Sequence, residues 1–215
     1  MTTPQSSRLI NAAAKAALQP IGCVQKGRSR IWLDDRSHWV GVVEFQPSSW
    51  ATGSYLNVGA CWLWLEKDYL SFDAGYRIDG FDAFQGDEPF AEAAKRLAER
   101  ARDEVEALRE RFPSPSHAQA WITGKGLRSI RDHYHLAVSA GLAADWDQSA
   151  RSFADVMSDP EDQPWAADIK RRAAELLQWA ESGGGFEREV METVRRSRQR
   201  LGLPVGRDGT NWHHA

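Results

Sequence analysis

Residues 55–70 read YLNVGACWLWLEKDYL, and the way this run folds decides the architecture. With the period of two that a strand imposes, Cys61, Leu63 and Leu65 fall on one side and Ala60, Trp62 and Trp64 on the other. A strand with one wet face alternates apolar and polar residues. Here both sides are apolar and one carries two tryptophans. The strand therefore belongs in a sheet covered on both faces, or it holds one aromatic face open for a ligand or partner.

Upstream, IGCVQKG (21–27), SRIWLDD (29–35) and HWVGVVEFQPS (38–48) are β-rich runs separated by Gly27 and the DDRS turn. A fifth strand is expected at AGYRI (74–78). Short turns between consecutive strands predict an antiparallel meander, since parallel neighbours need longer crossovers. Residues 6–18 predict a helix, capped by Ser6 or Ser7 and closed by Pro20. From 87 to 112 the pattern changes. Phe90, Ala94, Leu97, Ala101, Val105, Leu108 and Phe112 form an apolar stripe at steps of three and four, which predicts one long helix with a solvated outer face.

PSPS (113–116) breaks that helix, and everything after it reads as helical: AQAWI, a helix over 129–141 with Gly141 as its C-cap, and stripes led by Trp146, Trp165 and Phe186. Asp145 is placed to cap the Trp146 helix. The expectation is an α+β fold: a four- or five-stranded antiparallel sheet packed by an N-terminal and a long helix, then a C-terminal array of about four helices. The domains are drawn as a sheet module over 1–113, a helical module over 114–203 and a flexible tail over 204–215.

The phrase LQPIGCVQKG (18–27), the run YLNVGACW (55–62) and the long helix after residue 88 resemble a bacterial family, domain of unknown function 4304. Members run from a helix into a phrase of this form, then a meander and a long helix. Cys23 stands where the family has an aromatic. The resemblance spans roughly residues 8–140 and implies the fold, but it brings no catalytic residues to carry over. Further on, HLAVSAGLAADWDQSARSFADVM (135–157) is similar in style to helical hairpins of the tetratricopeptide kind. Its spacing departs from that consensus and no second copy follows.

Composition limits the function classes. Hydrophobic residues make up 42% and charged residues 27%, as in an ordinary globular protein. A net charge of −3 gives no bulk attraction to nucleic acid or anionic membrane. No leader pattern or span of about 18 apolar residues is present, so a cytoplasmic protein is expected. Cys23 and Cys61 are too few for a disulfide framework and read as buried thiols, and no metal or cofactor is expected. Of the ten tryptophans, Trp32, Trp39, Trp50, Trp62 and Trp64 lie within residues 32–64.

Several groups could carry chemistry. Asp35 and His38 in DDRSH, Glu44 on a strand and His133 in RDHYH are candidate acid–base residues. His133 and His135 fall about 200° apart on a helix and cannot share a metal there. Lys125, Arg128 and Arg131 beside two glycines offer an anion site at a helix start, without the GxxxxGK[ST] pattern of a phosphate loop. Trp39, Trp62 and Trp64 form a candidate partner- or ligand-binding face, although leaving them open invites aggregation, so Trp62 and Trp64 are expected to be mostly buried within the chain. No nucleophile, base and orienting group assemble, which weighs against an enzyme. The leading expectation is a non-enzymatic protein that binds another protein, in the style of bacterial immunity or accessory proteins. The alternatives are a small hydrolase-like enzyme with a cleft between the modules, or an anion- or nucleotide-binding module.

Overall fold

The computed structural model describes residues 4–78, 80–181 and 184–204. Apart from Pro204, the expected tail over 204–215 lies outside the described residues. The chain divides into two compact units. The first gathers residues up to Trp62 and Tyr69–Glu110; the second takes Leu63–Asp68 and residues from Arg111 onward.

The first unit is the expected α+β module. Helix α1 (Gln5–Leu18) leads into β1 (Val24–Gln25), β2 (Ile31–Asp35), β3 (Trp39–Gln46), β4 (Gly53–Trp62), β5 (Ala74–Arg77) and β6 (Asp82–Ala83), and α2 (Asp87–Arg111) follows. The strands run in the order β1-β2-β3-β4-β5, all antiparallel, with β6 also paired to β4. Strand alternation sends Trp39, Val43 and Phe45 of β3 and Leu56, Val58, Ala60 and Trp62 of β4 to one face, and all are buried. Trp39 and Trp62 stand directly opposite in register and meet edge-to-face with ring centroids 6.4 Å apart. A buried indole removes about 200 Å² from water, worth about 5 kcal/mol of transfer free energy at 25 cal/mol per Å². The α2 stripe from Phe90 to Leu108 is buried as its spacing predicts.

Helix α1 begins one residue earlier than expected, at Gln5 behind Pro4. Neither serine caps it, because both sit within its first turn.

The second unit holds five helices among the described residues: α3 (Pro115–Lys125), α4 (Ile130–Leu142), α5 (Trp146–Ser158), α6 (Pro164–Glu181) and α7 (Phe186–Leu201). Helix α4 is its centre, neighbouring the other four and buried without a break from Tyr134 to Gly141. Gly141 is not the C-cap expected of it. It lies inside α4, where a Cβ would come within 2.5 Å of the Phe186 ring, so glycine is there to let α7 approach. Asp145 does cap α5, accepting the Gln148 N–H at 3.2 Å.

Strand β4 stops at Trp62, and the period of two does not continue through LWL. Trp64 therefore leaves the face of Trp62 and serves the helical unit. Its Nε1–H donates to His135 Nδ1 at 3.0 Å, and its carbonyl accepts from Tyr134 Oη at 3.2 Å. Glu66, two residues on, holds both Arg196 and Arg200 of α7 at 2.9 Å.

Candidate functional site

The acid–base candidates are dispersed, and each is engaged locally. In DDRSH, the buried Asp34 carboxylate accepts a two-pronged bond from Arg109 of α2 (2.8 and 3.0 Å) and a third from Arg36 (2.9 Å). That fork ties β2 to α2. Asp35 Oδ1 accepts the Ser37 N–H at 3.2 Å, which shapes the turn that Ser37 enters at φ 66. His38 is buried, and desolvation pushes its pKa down to about 3, so the ring stays neutral at working pH. Burial, with Asp34 next in weight, pushes the nearby Cys23 thiol up to about 12, which leaves it unreactive. Glu44 lies further along β3, roughly 20 Å from His38 at the rise of a strand. It accepts from Asn57 Nδ2 at 2.9 Å in a polar ladder completed by Gln46 and Arg77. His133 is on α4 of the other unit, with Nδ1 3.5 Å from Asp155. Among the described residues no cluster of three His, Cys, Asp or Glu side chains could hold a metal.

The anion site expected at Lys125, Arg128 and Arg131 already contains a carboxylate. Asp132 accepts from Lys125 Nζ, from the Arg128 N–H at 3.0 Å and from Ser129 Oγ at 3.0 Å, while Ser129 Oγ caps the helix by accepting the Asp132 N–H. Burial pushes the Asp132 carboxyl up, but the hydrogen bonds from Lys125, Arg128 and Ser129 with the Lys125 charge outweigh it and hold the group below its ordinary value. Arg131 instead lies over the Trp165 ring, 4.2 Å from its centroid. The aromatic face of Trp39, Trp62 and Trp64 offers no surface either: their exposures are 1%, 0% and 0%.

What remains open lies elsewhere in the sheet unit. Arg30 stands just before β2, its carbonyl accepting from the Phe45 N–H at 3.0 Å. Its guanidinium donates to Ser7 Oγ (2.8 and 3.1 Å), Ser6 Oγ (3.3 Å) and the Gly53 carbonyl (3.1 Å). Every acceptor is neutral. Burial lowers the Arg30 pKa, and among the described residues no charged group offsets it. The serines expected to cap α1 are thus turned toward the arginine, and their own hydroxyl hydrogens remain available as donors. Gly53 holds the far wall close: a Cβ there would sit 2.2 Å from the Asp82 carbonyl of β6, so no larger residue fits.

These groups line a cavity of about 340 Å³, with the β3–β4 loop Pro47–Gly53 forming its other side. Electrostatically the placement is unfavourable as it stands. Helix α1 has no acidic residue of its own in its first turn; the Asp87 carboxylate of α2 accepts from the Gln5 side chain at 2.9 Å, and the Arg30 guanidinium lies at the Ser6 and Ser7 side of the same positive end. An anion in the cavity would relieve both. Trp50 lines the same cavity and is 96% exposed. Comparison with protein-family models, curated proteins and solved structures returns no match to this chain.

Arg30, Ser6, Ser7 and Trp50 carry no motif in the sequence. The one local signal is Trp50 itself, a lone indole in PSSWATG where every neighbour is small.

Proposed function

We propose that the protein is a non-enzymatic binding module that seats an anionic group in the Arg30 cavity. The observation that carries this reading is a half-buried arginine with only neutral acceptors, placed at the positive end of a helix and facing open space. Its two buried free thiols suit the reducing cytoplasm, where we place it. The enzyme reading has less support, because Asp35, His38, Glu44 and His133 are separately engaged and no nucleophile accompanies any of them. With Trp39, Trp62 and Trp64 buried, a protein-binding role would have to rest on other residues. Kinship with the 4304 family over residues 8–140 stays part of the proposal, supported by LQPIGCVQKG.

The test is thermal unfolding in inorganic phosphate against chloride at constant ionic strength. A ligand that binds only the folded state raises the melting temperature with concentration. The wild type should gain stability in phosphate and Arg30→Gln should gain none, each variant being compared with itself in chloride. An equal response of the two proteins, or no response of the wild type, would discard the proposal.

A further inference from the structure

We infer that the anion is the phosphate of a nucleoside monophosphate whose base lies on the indole of Trp50. This rests on the anion reading and names the rest of the ligand. Trp32, Trp39 and Trp62 of the same unit are buried to 2% exposure or less, whereas Trp50 is 96% exposed. Exposing an indole in this way forgoes the gain of burial, and the loop is built to present it. The Trp50 backbone N–H donates to Ser48 Oγ at 3.1 Å, and the loop ends at Gly53, which is pinned against β6 and bonded to Arg30. Trp50 and Arg30 thus both line one cavity and are joined by a short anchored loop.

The size and chemistry of the cavity narrow the ligand. About 340 Å³ is more than a bare phosphate needs and lies within the range of about 300–1,000 Å³ typical of small-molecule pockets. A flat ring stacks on an open indole whatever its hydrogen-bonding edge, as bases do on aromatic platforms. The lining also includes Ser49 and Thr52, whose neutral hydroxyls suit a sugar. Among the described residues Arg30 is the one cation of the lining, enough for a single phosphate and too little for a triphosphate. A polymer is disfavoured by the same count and by the net charge of −3.

Isothermal titration at fixed ionic strength separates the parts, with AMP, GMP, CMP, UMP, ribose 5-phosphate and inorganic phosphate as probes. The tightest nucleotide should bind about tenfold or more tightly than ribose 5-phosphate, the difference expected of one base on one aromatic ring. Trp50→Ala should close that gap to near unity, and Trp50→Phe, which keeps a ring, should retain most of it. If phosphate and ribose 5-phosphate bind but no nucleotide binds more tightly, or if the gap survives Trp50→Ala, the nucleotide inference is overturned and the anion reading stands. If no probe binds, both fall.

Discussion

At the start of α4, the Asp132 carboxylate takes the hydrogen bonds of Lys125, the Arg128 amide and Ser129; at the start of α1, Arg30 meets only two serine hydroxyls and a carbonyl. Both places set basic chemistry against the positive end of a helix. One is filled by an acid from its own chain four residues along, and its anion site is spent on folding. The other has no acid in its own first turn, its nearby Asp87 is bonded to Gln5 and not to Arg30, and it opens on a cavity. Basic residues beside a helix start are therefore no sign of ligand binding until the nearest carboxylate has been placed.

The largest test of this contrast is affinity. Arg30→Gln should weaken phosphate binding about 100-fold by calorimetric titration, the scale of a lost charge-assisted bond, or about 2.7 kcal/mol. Asp132→Asn should leave the Arg30 cavity binding phosphate as before, and an equal loss in both variants would erase the distinction.

Acid should next separate the Asp132 site from the β2–β3 turn of the sheet unit. His38 has a folded pKa of about 3 against roughly 6.5 in the unfolded chain, so the unfolded state takes up the proton first. Its contribution is complete above about pH 6.5 and is lost as pH falls toward 3. Urea unfolding should show about 2 kcal/mol lost between pH 7 and 5, and His38→Gln should flatten that slope. Asp132, also depressed, behaves as a carboxylate: its contribution is present above the ordinary range near 4 and declines only as pH falls below it. Asp132→Asn should consequently leave the slope between pH 7 and 5 intact.

At neutral pH, Asp132→Asn should cost about 1 kcal/mol of stability, because the ion pair with Lys125 and the negative charge at the start of α4 are lost while the Ser129 cap remains. The same variant should acquire a phosphate-dependent rise in melting temperature at that helix, detectable in an Arg30→Gln background. The smallest effect runs in reverse. Ser7→Asp places a carboxylate where Arg30 now finds a hydroxyl at 2.8 Å. It should stabilise by about 0.5 kcal/mol and abolish the phosphate response. A stabilised protein that still answers to phosphate would mean the anion binds elsewhere.

The two regions also differ in how much the sequence reveals. The α2 stripe, the meander and the burial of Trp62 follow from periodicity, because each residue's surroundings repeat at a fixed step. Where β4 ends does not follow: Leu63–Leu65 continue the apolar alternation while the backbone has already left the strand. Gly141 reads as a cap when only helix α4 is considered and as a packing residue once Phe186 is placed beside it. The filled site at Asp132 was within reach, since all its partners lie within seven residues. The Arg30 cavity was not, because its partners Ser6, Ser7 and Gly53 are 23 or 24 residues away in both directions. Only the folded meander brings a helix start, a strand entrance and a loop to one point.

A crystal grown with selenate in place of phosphate would decide between the two helix starts by anomalous scattering. The account predicts a selenium peak within hydrogen-bonding distance of the Arg30 guanidinium and the Ser6 and Ser7 hydroxyls, with Asp132 still holding Lys125 and the Arg128 amide. Selenate displacing Asp132 at the start of α4, with the Arg30 cavity empty, would contradict it.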